Sequence, residues 1–522
     1  MPMRFSKKRA AVVKGEAAHD VSSNTWWAYW GRPPSFQGVA GAPSQPLFPA
    51  SKGVAPQPQP DVAEFSLPLT FFDLLWLRFP HFHRLFFYEI LASSASADTK
   101  PFFNSLLFQK LKASLSVTLQ HFLPLAGNIT WPQDSHKPVL SYVQGDAVSL
   151  TTAQSDADFH RLSSNDFNIE AKEYHPLVPQ LAISHEKAAV LAFQITLFPN
   201  SSGFSIGISM HHAALDGKTL FMFLKSWAHL CKHEPDTLLP DQLKPFYDRR
   251  VFIQDPAGLE LEAIYLNQFL NMDQRANNRS LMVATRYKSV ALPDSIRGTF
   301  EFTSTKIEAL RQSVMIKKQQ QYHLSVLYLS TFCLTCAYTW VCLVKAEQEE
   351  EEEEIKDDQI LTVLSVDCRS RLDLPIPATY FGNCITGHGA FAERKGLLGE
   401  DGFFVAVNAI SEAIKGLDNG VLNGAENLVS SLYLSESDLQ ATTDHSRVFT
   451  TAGSHQFKMY DTDFGWGRPK STEVVPIGRR GAIAITFSDG KNGGGAVDIG
   501  LVLKKHHMEV FASLFPKGLE NL

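Results

Sequence analysis

From Phe204 to Met210 the chain alternates: Phe204, Ile206, Ile208 and Met210 are apolar, while Ser205, Gly207 and Ser209 are small. A period of two predicts a strand with one face buried. Continuing the count places His212 on the buried face and His211 on the other. Leu220, Phe221, Phe223, Leu224, Trp227 and Leu230 then recur at helical spacing. The strand is therefore expected to end at His212 and a helix to start near Gly217. An amphipathic helix is predicted over residues 104–122, with Leu107, Leu111, Leu115 and Leu119 in one stripe. Strands are predicted over residues 139–143, 190–197, 482–487 and 496–503. Pro199-Asn-Ser-Ser-Gly203 reads as the hairpin turn into the histidine strand. Asp489-Gly-Lys-Asn-Gly-Gly-Gly495 reads as another turn, since it lacks the Gly-x-x-x-x-Gly-Lys-Ser/Thr spacing of a phosphate loop.

Strands and helices mixed in this way predict an α/β fold. At 522 residues the chain is too long for one ordinary core, so two domains are expected. The divisions are residues 52–235, a linker at 236–255, and residues 256–522. Residues 1–51 stand apart, with Arg4, Lys7, Lys8, Arg9 and Lys14 followed by Trp26, Trp27, Tyr29 and Trp30 and then Pro/Gly/Ser-rich sequence. They are expected to be a disordered or aberrant N-terminal extension. The run 324–344 carries no charge, but Ser325, Ser330, Thr331, Thr335 and Thr339 make it a poor membrane span, and a buried helix is expected. Glu349 to Glu354 reads as a solvated loop.

A net charge of −6 gives no reason to expect a nucleic-acid partner. The six cysteines, Cys231, Cys333, Cys336, Cys342, Cys368 and Cys384, sit mostly in apolar runs and read as core thiols of a reducing compartment. The Cys333-x-x-Cys336 spacing has no second pair, and no metal site is expected.

His212 and Asp216 carry the candidate chemistry. A neutral imidazole at the end of a strand, open on one side, is suited to act as a base near pH 7. The same four-residue spacing also fits a core histidine followed by a helix N-cap. Asp463-Phe-Gly-Trp-Gly467 has the glycines of a tight turn. Its Asp-Phe-Gly triplet is not that of a kinase, because the other kinase motifs are absent. Cys384 is a rival nucleophile, but its surroundings show no strand-to-helix elbow and read as a buried structural cysteine.

Taken together, His212-Ala-Ala-Leu-Asp216-Gly217 and Asp463-Phe-Gly-Trp-Gly467, roughly 250 residues apart, resemble the two signatures of the plant BAHD acyltransferases. Tyr380-Phe-Gly-Asn-Cys384 and Arg84-Leu-Phe-Phe-Tyr-Glu89 are similar to the branch that acylates sugars of anthocyanins and phenolic glucosides. Leu67-Pro-Leu-Thr-Phe-Phe-Asp-Leu-Leu-Trp76, Pro124-Leu-Ala-Gly-Asn128 and Asp367-Cys-Arg-Ser-Arg371 extend the resemblance, which runs from about residue 52 to the C-terminus. It implies a two-domain chloramphenicol-acetyltransferase-like fold with mixed sheets and an active-site channel between the domains. Family chains begin with a short strand before the Ala55 region, which is expected to be replaced here.

The resemblance further implies an acyl-CoA-dependent O-acyltransferase. His212 would deprotonate an acceptor hydroxyl, which attacks the thioester directly with no acyl-enzyme. Asp216 would point away from substrate and pair with Arg369 or Arg371. Asp463, Gly465 and Trp466 would shape the channel near CoA, with the Trp466 N–H as the one donor there for a developing oxyanion. Ser304 and Lys306, at the start of a helix-like stretch, are nominated for CoA phosphates. Acyl-CoA is a co-substrate and no cofactor is tightly bound. Malonyl-CoA is the preferred donor and hydroxycinnamoyl-CoA stays open. A malonyl carboxylate in a dry channel needs an Arg or Lys, which the sequence does not name. The chain is expected to be a cytoplasmic monomer with no membrane partner. The alternative is a catalytically inactive small-molecule-binding protein on the same fold, against which the intact His212, Asp216 and Asp463 to Gly467 argue.

Overall fold

A computed structural model describes residues 50–520 except 59–62, 91–105, 166–168, 202, 234–236, 250–252, 256–257, 288–293, 321–326, 349–358, 434–447 and 476–481. The expectations for residues 1–49 and for the glutamate run lie outside the described residues. So do the first residues of the predicted helices at 104 and 324.

The fold is α/β, with three sheets among the described residues. The first has six strands in the spatial order Ala50–Val54, Val148–Gln154, Leu191–Phe198, Gly203–Met210, Phe82–Glu89 and Ser471–Val475. Only the pairing of Val148–Gln154 with Leu191–Phe198 is parallel. The second sheet has seven strands, including the antiparallel run Ala482–Asp489, Val497–Lys504 and Ser295–Phe302. A four-stranded sheet carries Glu64–Pro68 and Val139–Val143. Each half of the chain lends a strand to the other's sheet. Ser471–Val475 joins the first beside Phe82–Glu89, and Ile169–Glu170 joins the second beside Ser295–Phe302.

The histidine strand lies inside the first sheet, between Leu191–Phe198 and Phe82–Glu89, and every residue from Gly203 to Met210 is buried. The sequence predicted one buried face. The small-residue face is buried as well, and this is why its residues are small. A Cβ on Gly207 would stand 2.0 Å from the Leu177 carbonyl oxygen. On the same face Ser209 donates to the Pro179 carbonyl. The strand ends at Met210, two residues before the predicted end. Past it the His211 N–H still bonds the Val190 carbonyl at 2.8 Å, and the chain then turns into the helix Gly217–Lys232.

Ala50–Val54 corrects the expectation that the family's first strand is replaced. It pairs antiparallel with Val148–Gln154 and spans the boundary expected at residue 51. Ser51, Lys52 and Gly53 are exposed, and Val54 is buried. A ladder held by backbone hydrogen bonds leaves little apolar pattern to read.

Two large cores follow. One lies on the first sheet and its helices. It also draws in Tyr380, Phe381, Met459 and Phe464 from the C-terminal half. The other surrounds the helix Thr331–Gln348, which is buried along most of its length. Among the described residues no helix is long and apolar enough to cross a membrane.

Candidate active site

His212 stands in the turn between its strand and the helix Gly217–Lys232, half-buried, and lines a cavity of about 1970 Å³. Its ring stacks on Trp76, with centroids 4.1 Å apart and planes 11° apart. Phe79 and Phe82 meet it edge-on at 6.0 and 6.2 Å. Aromatic walls fix the ring plane without neutralising a charge that the imidazole would gain. Its main-chain carbonyl accepts a 2.9 Å hydrogen bond from Nδ2 of Asn383. His211 takes the position expected of His212 by parity. It is 1% exposed, and burial pushes its pKa down to about 3. The parity argument fails because the ladder ends at Met210 and the turn resets which side chain faces the core.

Asn383 is held in turn. Its N–H and its Nδ2 both donate to Oδ1 of Asp73 at 3.0 Å. Asp73 is fully buried, pairs with Arg249 at 2.8 Å, and accepts from the Thr70 N–H and hydroxyl. Gly382 next door has φ +127°, and a Cβ there would stand 2.7 Å from Nη2 of Arg249. Only glycine fits that position.

Asp216 is fully buried and satisfies both readings made of it. Its Oδ1 caps the helix by accepting from the Thr219 N–H at 2.9 Å. Its Oδ2 pairs with Nη1 of Arg369 at 2.8 Å and accepts from the Cys384 N–H at 3.2 Å. The arginine at Asp216 is thus Arg369. Arg371 is exposed at the cavity wall. Asp216 is 0% exposed, so its carboxylate holds the turn rather than meeting solvent.

Asp463 lies at the far end of the same helix. Its Oδ1 accepts from the N–H groups of Gly465 and Gly467, and its Oδ2 pairs with Lys232 at 2.7 Å. Both glycines have positive φ, +105° and +100°. Phe464 inserts edge-on against Tyr88 and Trp227. Trp466 lies under the Lys110 ammonium, 5.6 Å away, and against the edge of Phe204 at the opposite end of the histidine strand. A 16-residue helix is about 24 Å long. That length separates Trp466 from His212 and removes it as an oxyanion donor at this imidazole. The segment braces the helix instead.

Ser304 and Lys306 open the helix Ser304–Gln320 beside the turn at Gly495, with Thr303 accepting from the Lys306 N–H. Neither lines the cavity. Cys384 is fully buried, and burial pushes its thiol pKa up. All six cysteines are buried and free. Among the described residues no group of three or more His, Cys, Asp or Glu could hold a metal ion.

Several residues at the site were not singled out from sequence. Trp76 and Asp73 sat inside a quoted motif without roles. Arg249 lies in the stretch read as a linker, where nothing local marks it. His83, whose Nδ1 is 2.6 Å from the Ser209 hydroxyl, is held uncharged by burial, with a pKa of about 4.

The sequence profile of the Transferase family matches residues 52–517. The chain is 37% identical to phenolic glucoside malonyltransferase 1 of Arabidopsis thaliana, over 90% of this chain and 96% of the relative. It is 38% identical to malonyl-CoA:anthocyanidin 5-O-glucoside-6''-O-malonyltransferase of the same plant, over 88% and 96%. It is also 36% identical to that plant's agmatine coumaroyltransferase, over 87% and 95%. The crystal structure of vinorine synthase superposes with a TM-score of 0.60 at 21% identity, covering 89% of this chain and 96% of that one, and so shares the fold. The chain belongs to the Transferase family, the BAHD acyltransferases, and is an acyltransferase.

Proposed function

We propose that the protein transfers a malonyl group from malonyl-CoA to a sugar hydroxyl of a phenolic or anthocyanin glucoside, with His212 as general base. The donor and acceptor classes are supported by the names of the relatives, two of which are malonyltransferases acting on glucosides. The observation that carries the mechanism is the placement of His212. Its ring is clamped by Trp76, its carbonyl is tied to Asn383, and it lines a cavity with room for a donor arm and an acceptor together.

In this reading the imidazole removes the acceptor proton as the hydroxyl oxygen attacks the thioester carbonyl. The tetrahedral intermediate collapses by breaking the C–S bond, and the imidazolium returns the proton to the CoA thiolate. Transfer is direct, because the rival nucleophile Cys384 is buried and its thiol is held protonated. Asp216 and Arg369 act through the backbone, by fixing the turn that carries His212.

A second reading draws on the relative that is an agmatine coumaroyltransferase: a hydroxycinnamoyl donor and an amine acceptor. Competition separates the two. The purified protein receives malonyl-, acetyl- and coumaroyl-CoA with a flavonol glucoside and agmatine, and products are resolved by mass. Malonylated glucoside as the main product is expected. Coumaroylated agmatine as the main product would favour the second reading.

A further inference from the structure

Most cations lining the cavity are already matched. Arg369 pairs with Asp216, Arg297 with Glu473, Lys218 with Asp367 and Lys232 with Asp463. Arg84 differs. It lines the cavity, is 4% exposed, and makes no ion pair with any described residue. Its one hydrogen bond to a described residue runs from Nη1 to the sulfur of Met459 at 3.1 Å, and its buried Nε has no partner among the described residues. The guanidinium lies over the rings of Phe82, at 5.5 Å, and Phe221, at 5.1 Å. Burial lowers its pKa to about 10, so it is still charged at neutral pH. A thioether and two ring faces are weak company for a buried cation. Burying a charge without an anionic partner is expensive, and such groups are retained where a partner arrives.

The nearest carboxylates are committed elsewhere. Glu473 is bonded to Arg297, and Asp489 accepts from the N–H groups of Met459 and Tyr460. The position also suits the reaction. Arg84 pairs with Ile208 across the ladder, on the strand beside the one that leads to His212. Phe82 touches both groups, with its ring 6.2 Å from the His212 ring and 5.5 Å from the guanidinium. The two are therefore no more than about 12 Å apart. An acceptor oxygen in hydrogen-bond contact with the imidazole, followed by a three-carbon malonyl chain in contact with the guanidinium, spans about 10 Å.

The geometry points to Arg84 as the residue that binds the free carboxylate of the malonyl donor, and so selects an acidic acyl group over a neutral one. This rests on the malonyl-transfer reading above. Of the other cavity cations without an ion pair to a described residue, Arg371 and Lys458 are exposed, which leaves Lys225 as the rival. It is eight residues into the helix, about 12 Å beyond its start near His212. Its amine is flexible and half-buried, whereas Arg84 offers a fixed fork matched to a carboxylate.

The test measures kcat/KM for malonyl-CoA and for acetyl-CoA with one glucoside acceptor, and reports their ratio. Wild type should favour malonyl-CoA. In Arg84→Gln the ratio should fall roughly ten- to a hundredfold, the worth of a charge-assisted hydrogen bond. Met459→Glu should give a similar fall, because it supplies a carboxylate where the sulfur now sits and occupies the guanidinium; it keeps the inference open to refutation if Arg84→Gln does not fold. Lys225→Gln should leave the ratio within about threefold of wild type. A ratio unchanged in both Arg84→Gln and Met459→Glu, or lost in Lys225→Gln instead, overturns the assignment of Arg84 while leaving malonyl transfer intact. A wild-type enzyme that uses acetyl- or coumaroyl-CoA but not malonyl-CoA overturns the donor reading itself.

Discussion

Asn383 donates its side-chain amide to the main-chain carbonyl of His212, 2.9 Å away, across 171 residues of sequence. The same amide also reaches the buried carboxylate of Asp73. His212 is thus fixed on two sides, by Trp76 at its ring and by Asn383 at its backbone.

Replacing Asn383 by Ala removes both side-chain bonds and leaves the buried Asp73 carboxylate short of a donor. A loss of about 1–3 kcal/mol in folding stability is expected. Because the His212 turn loosens, kcat should fall at least tenfold with KM for acyl-CoA little changed. Denaturant unfolding and steady-state kinetics on the same preparation check both. Full kcat in a folded Asn383→Ala protein would show that the backbone tie is dispensable.

The Asp216–Arg369 pair is almost fully buried, with side chains 1% and 3% exposed. Removing one member strands the other, and such losses cost about 3–5 kcal/mol. Asp216→Ala also deletes the helix cap. It should unfold at much lower urea than Arg371→Ala, whose exposed side chain makes no ion pair with Asp216. A double-mutant cycle of Asp216→Ala and Arg369→Met should show coupling of about 1 kcal/mol or more. Additive losses would mean that the pair contributes nothing beyond its separate members.

Much of this site was legible in the sequence, for local reasons. His212, Asp216 and the helix after them are marked by period changes within a dozen residues, and the cap geometry follows from that spacing. Asp463, Gly465 and Gly467 likewise make a turn that needs only each other. What was hidden is long-range. Nothing near Arg249 shows that it pairs with Asp73, 176 positions earlier. The choice of Arg369 over Arg371 depends on how residues 368–384 fold back onto the helix start. Trp466 looked like a candidate donor only while its distance from His212 was unknown. The strand at Ala50–Val54 escaped because Ser51, Lys52 and Gly53 are exposed and leave no apolar alternation to read.

Asp498, 4% exposed on the interior strand Val497–Lys504 of the second sheet, has its pKa raised to about 7 by burial. An unfolded aspartate titrates near about 3.9. The folded state therefore holds this proton more tightly, and stability from this group is present at low pH and lost as pH rises from about 4 through about 7. Asp498→Asn keeps an acceptor for the Lys491 N–H and removes the ionisation. It should raise Tm at pH 8 relative to wild type, with the gain shrinking towards pH 5. A gain independent of pH would point to packing instead of titration.

The direct test of His212 as the base is the kcat of a folded His212→Ala enzyme with malonyl-CoA and a phenolic glucoside, set beside its Kd for malonyl-CoA. Loss of general-base catalysis predicts a fall in kcat of about 10²–10⁴-fold with Kd within about threefold of wild type. A variant that keeps most of its kcat would contradict the assignment.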